Sequence, residues 1–102
     1  MSVAKVDDWL TVEEFRREFE KQRIGFYPDS GLARCDSGVL KLRVHWSETP
    51  AGLDWSFFRL PEDAFASKNS TLTTKGYGLQ YDNIFKDCDG HTQHLALWTK
   101  KA

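Results

Sequence analysis

The spacing of apolar residues changes once along this chain, and that change limits the fold more than any other feature. From Val12 to Arg23 they recur every three or four positions (Val12, Phe15, Phe19), with Glu13, Arg16, Arg17, Glu20 and Lys21 between them. That is the pattern of a helix with one buried face. Thr11 is placed to cap it, because its hydroxyl can accept from an orphan amide of the first turn, and Glu14 three residues on completes a capping box. Gly25 and Pro28 end the helical pattern. Beyond them the period is two: Leu40, Leu42, Val44 and Trp46 alternate with Val39, Lys41, Arg43 and His45, which predicts a strand buried on one side.

The rest of the chain extends the strand pattern. Gly31 to Cys35 leads into Asp36-Ser37-Gly38, a tight turn with glycine where positive φ is needed, and predicts a hairpin with the strand that follows. Thr49-Pro50-Ala51-Gly52 is a further turn before an aromatic-rich strand from Leu53 to Leu60. Pro61 followed by Glu62 and Asp63 suits the start of a short helix to about Ser67, with Lys68-Asn69-Ser70 as loop. Tyr81–Cys88 and His91–Trp98 flank Asp89-Gly90, a pair suited to a two-residue hairpin turn. Counting back from that turn sets Phe85 opposite His94, Ile84 opposite Leu95 and Tyr81 opposite Trp98, with apolar groups on both faces. The fold class expected is α+β: a meandering antiparallel sheet of about five strands, with one N-terminal amphipathic helix packed on it. All 102 residues are expected in a single globular domain.

Composition narrows function by exclusion. The 14 basic and 15 acidic residues leave a net charge of −1, without the cationic surplus a sequence-independent nucleic-acid binder uses. No apolar run is long enough to span a bilayer, and the first residues lack the apolar region of a secretory signal. A cytoplasmic location is therefore expected, with Cys35 and Cys88 as thiols and no use for the sequon at Asn69-Ser70-Thr71. The aromatic share of 14% is high, and such side chains serve cores and interfaces alike.

Few residues suggest chemistry. Cys88 and His91 share a hairpin tip and are weak candidates as metal ligands, lacking the paired spacings of zinc modules. As a nucleophile Cys88 is poorly served, because Asp87 and Asp89 beside it disfavour a thiolate. Gly76-Tyr77-Gly78 is a fragment of a phosphate loop without the strand-then-helix setting. No cofactor is expected.

The segment Trp9-Leu10-Thr11-Val12-Glu13-Glu14-Phe15 is similar to the opening of excisionase-type winged-helix DNA-binding domains. The resemblance implies a recognition helix next, where Gly25, Pro28, Asp29 and Gly31 stand instead, and the capping box accounts for the likeness. Lys41, Arg43 and His45 lie along one strand face with Arg34 and Arg59 expected nearby, a basic stripe that would serve a nucleic-acid-binding regulator. The leading expectation is a non-catalytic protein acting on a protein partner, as an inhibitor, immunity factor, adaptor or regulatory subunit. Trp46, Trp55, Tyr77, Tyr81 and Trp98 are the candidate contacts, on a monomer or homodimer.

Overall fold

A computed structural model describes residues 8–101. The element order is β1 (Leu10–Thr11), α1 (Val12–Gln22), β2 (Phe26–Asp36), β3 (Val39–Glu48), β4 (Leu53–Pro61), α2 (Glu62–Thr74), β5 (Gly78–Lys86) and β6 (Thr92–Lys101). The fold is α+β and its strand pairs are antiparallel, as the alternation predicts. The single five-stranded meander is corrected, however, to two three-stranded sheets, ordered β1-β3-β2 and β4-β6-β5, with two helices. The chain leaves the first sheet at the Thr49–Gly52 turn, and β4 pairs with the last strand rather than with β3.

The helix α1 forms where its pattern places it, with a complete capping box: the Glu14 amide donates to the Thr11 hydroxyl at 3.2 Å and the Thr11 amide to the Glu14 carboxylate at 2.9 Å. The Thr11 amide, above all, holds the Glu14 carboxyl below its ordinary pKa. Phe15 and Phe19 join the two sheets. Their rings lie 6.3 and 5.9 Å from Trp46 of β3, while Phe15 is 6.1 Å from Phe57 and Phe19 is 5.8 Å from Trp55, both on β4.

The hairpin between β2 and β3 turns on Ser37 and Gly38, both at positive φ (53° and 81°), as the two-residue turn of this hand requires. β2 runs further back than its sequence suggests, through Pro28, which an edge strand tolerates. That edge is closed by side chains from β5: the Tyr81 hydroxyl donates to the Pro28 carbonyl at 2.9 Å, and the Asn83 amide donates to the Gly31 carbonyl. Gly31 sits over the second sheet. A Cβ there would lie 3.1 Å from Leu95 Cδ2 and 3.3 Å from the Tyr81 hydroxyl, so the close approach requires glycine. Gly31→Val is accordingly expected to cost about 1–3 kcal/mol by overpacking, measured by urea unfolding.

The strand β6 is buried on both faces: His94, Leu95, Ala96, Leu97 and Trp98 are each at most 6% exposed. One face meets the first sheet and the other meets α2, whose Phe65 and Leu72 close over Ala96 and Trp98. The helix α2 continues through Thr74, which corrects the loop expected at 68–70. Its polar residues form a poor helix by propensity alone, but the packing of Leu72 and a hydrogen bond of 2.9 Å from Trp98 Nε1 to Asn69 Oδ1 fix it. The sequon asparagine is thus engaged inside a helix.

The β5–β6 hairpin also differs from its expected register. Lys86 faces Thr92 and Phe85 faces Gln93, so residues 87–91 form a five-residue loop rather than a two-residue turn. Asp87 organises it. Its carboxylate accepts from the amides of Asp89 and His91, each at 2.9 Å, and from Gln93 at 2.5 Å. The His91 amide is the main reason that the Asp87 carboxyl sits below the usual carboxylate range. From Tyr81 to Lys86 the slip of one residue moves the side chains to the opposite face. Tyr81 and Phe85 thereby join the Leu95 and Leu97 face, whereas Ile84 joins His94 and is left 64% exposed.

The two hairpin tips are joined by a disulfide between Cys35 and Cys88, with Cα atoms 5.1 Å apart. This corrects the expectation of free thiols. Both cysteines lie at the solvent-exposed surface.

Candidate functional site: the open face of the first sheet

The two sheets are not equally covered. The inner face of the first sheet, carrying Gly31, Leu42, Val44 and Trp46, is buried against α1 and the second sheet. Its other face carries the alternate residues of β2 and β3: Leu32, Arg34, Lys41, Arg43 and His45, with Val39 at the turn. Among the described residues neither helix covers the centre of this face, and Val39 at the turn borders a groove with Val12 and Arg16 of α1. Alternation along β3 separates the two sets as the sequence predicts, and register brings β2 into line: Leu32 faces Arg43, Arg34 faces Lys41, and Ser30 faces His45.

The charges of this face are paired. Arg34 and Lys41 would repel as direct neighbours, but the Asp36 carboxylate lies 3.7 Å from the Arg34 guanidinium and 3.6 Å from the Lys41 ammonium. The Arg34 guanidinium also stacks 4.1 Å over the ring of Trp9. A bulge between Pro28 and Ser30 inserts Asp29, whose carboxylate accepts from the Ser47 hydroxyl and lies 2.8 Å from His45 Nδ1. Two apolar side chains stand among these groups: Leu32 is 51% exposed and Val39 is 44% exposed. The result, among the described residues, is an exposed surface with charges of both signs around apolar contacts.

Of the basic residues singled out from sequence, Arg34, Lys41, Arg43 and His45 share this face, whereas Arg59 does not. Arg59 stands on β4 opposite Leu95, with its guanidinium 3.3 Å from the Gln93 side-chain oxygen. The aromatic candidates do not assemble into a surface. Trp46 and Trp98 are interior, at 3% and 0% exposure, so their rings are not presented to a partner. Tyr81 is held by Pro28, and burial pushes its hydroxyl pKa up. Trp55 packs edge-on against Phe19, and Tyr77 against the Trp98 cluster. Their rings fill the space beside Phe19 of α1 and the space beneath α2. Leu32, Val39 and Trp9 are absent from the sequence-derived set; the pairing of Leu32 with Arg43 was the signal, hidden until the register was known.

The metal and nucleophile candidates also resolve. The Cys88 sulfur is bonded to Cys35, so it offers neither a thiolate ligand nor a nucleophile. His91 lies within 4.8 Å of Asp87 and Asp89 in terms of ligand atoms, but Asp87 is committed to the loop amides. His94 lies elsewhere, buried under Phe65 with its ring stacked at 4.2 Å and Nδ1 2.8 Å from Asp82. Among the described residues, no helix is long and apolar enough to cross a membrane. Comparison with protein-family models, with curated proteins and with solved structures finds no match.

Proposed function

We propose that this protein is a non-catalytic binding protein that engages a protein partner through the open face of the first sheet. The observation that carries the reading is that, among the described residues, the outer face of β2 and β3 leaves Leu32 and Val39 exposed among paired charges, whereas β6 of the second sheet is buried on both faces. Exposed apolar groups ringed by polar ones suit a protein interface, and charges already neutralised by Asp36 and Asp29 suit a polyphosphate poorly. A partner surface with its own apolar contacts for Leu32 and Val39 and a polar rim around them fits best. Inhibitor, immunity factor, adaptor and regulatory subunit all remain roles of this kind.

The test is capture from nuclease-treated lysate with wild-type protein and with a Leu32→Glu/Val39→Glu variant. Leu32 and Val39 are 51% and 44% exposed, and a far-ultraviolet circular dichroism spectrum matching wild type is the control that the variant is folded. One stoichiometric protein is expected with wild type, held at least tenfold more weakly by the variant, about 1.4 kcal/mol. Nucleic acid recovered in place of a protein when nuclease is omitted would move the reading to a nucleic-acid-binding regulator. Sedimentation of the isolated protein separates a monomer from a homodimer that buries the same face. The compartment follows the cysteines: a cytoplasmic setting would keep them as thiols, whereas the Cys35–Cys88 bond fits an oxidising one. Alkylation of free thiols in freshly lysed cells distinguishes the two.

A further inference from the structure

The seam between α1 and β4 is bridged by side chains alone, and it leaves a cavity of about 220 Å³ between them. Its walls are apolar: Val12, Phe15 and Phe19 from the helix, Phe57 from β4, and Leu42 and Leu95 behind. Two arginines complete the lining, Arg16 beside Phe15 on the helix and Arg59 on the strand, and no lining residue is acidic. Arg59 is oriented by its 3.3 Å contact with Gln93, which uses one of the five N–H donors of a guanidinium. Two cations at an apolar cavity with no counter-charge in its wall define an electrostatic preference for an anion that also has an apolar body.

We propose that this cavity is a binding site for a small apolar monocarboxylate, with the ring or chain between Phe15, Phe19 and Phe57 and the carboxylate between Arg16 and Arg59. The size is consistent with one ring: a cavity of about 150 Å³ in another protein holds benzene, so this one takes a ring and a short tail. Phosphate alone would leave the apolar walls unused, and a neutral hydrocarbon would leave both guanidiniums unanswered. The site is separate from the open face of the first sheet, from which Arg59 is excluded by its place on β4.

The test is titration of the ¹⁵N-labelled protein with 4-phenylbutyrate and with 4-phenylbutanol, which share an apolar body and differ in charge. Saturable amide shifts are expected at Val12, Phe15, Phe57 and Leu95, with the acid binding at least tenfold more tightly than the alcohol. In the Arg16→Gln/Arg59→Gln variant, whose substitutions are solvent-exposed, that preference should fall to near one while the alcohol binds as before. Equal affinity for acid and alcohol in wild type would overturn the assignment, as would the absence of shifts at millimolar ligand or a preference that survives in the variant.

Discussion

Replacing Trp98 with alanine is expected to lower the free energy of unfolding by about 3–5 kcal/mol, the range for deleting a large buried ring. The indole is fully buried, 6.2 Å from the ring of Phe58 and 5.7 Å from that of Phe65, and it carries the bond to Asn69 that ties α2 to the sheet. Alanine leaves a cavity between β6 and α2 and also strands the Asn69 acceptor. Trp98→Phe separates these effects, since it keeps most of the ring and loses only the donor, and about 1–2 kcal/mol is expected. Urea unfolding followed by far-ultraviolet circular dichroism reads both. Domains of this size are stable by only about 5–15 kcal/mol, so the alanine variant should be partly unfolded in modest denaturant. A loss below about 1 kcal/mol would contradict the placement of Trp98 in the core.

Reduction of the Cys35–Cys88 bond is the second large effect. The bond spans 53 positions and joins the tip of the β2–β3 hairpin to that of β5–β6. A cross-link of that span removes much of the freedom of the unfolded chain, and its loss is expected to cost about 2–4 kcal/mol. For a domain of about 100 residues this lowers the Tm by about 10–20 °C. Both cysteines are exposed, so a reductant reaches them without prior unfolding. Thermal unfolding with and without dithiothreitol measures the effect, and Cys35→Ser/Cys88→Ser should reproduce the reduced curve without responding to reductant. Coincident curves in wild type would mean that the two tips are not linked in solution.

Local rules made part of this molecule legible and long-range pairing hid the rest. The helix α1 was readable because Thr11, Glu14, Phe15 and Phe19 all act within one or two turns. The alternation along β3 assigned its residues to faces before any partner strand was known, because side-chain direction is a property of the strand itself. The basic residues of the open face were recoverable for that reason. The division into two sheets was not, since nothing within β4 says that it pairs with β6 and not with β3. The register of β5 and β6 turns on a single side chain: Asp87 draws the amides of Asp89 and His91 into a longer loop than Asp89-Gly90 predicts, and the faces of Tyr81, Ile84 and Phe85 invert. Helix α2 runs past its local signal because Lys68, Asn69 and Ser70 favour loops by composition, while Leu72 and Asn69 pack against a strand far along the chain. The roles of the tryptophans followed from topology as well, because a strand covered on both faces consumes large side chains that an open sheet would display.

The central claim is that partner binding occupies the outer face of β2 and β3. The most direct measurement is amide hydrogen exchange on the captured complex against the free protein, read by peptide. Slowed exchange is expected in peptides covering Leu32–Asp36 and Val39–His45, with α2 and the β5–β6 loop unchanged. Protection confined to α2 and β5, or to the seam of α1 and β4, with the first sheet exchanging as in the free protein, would contradict it.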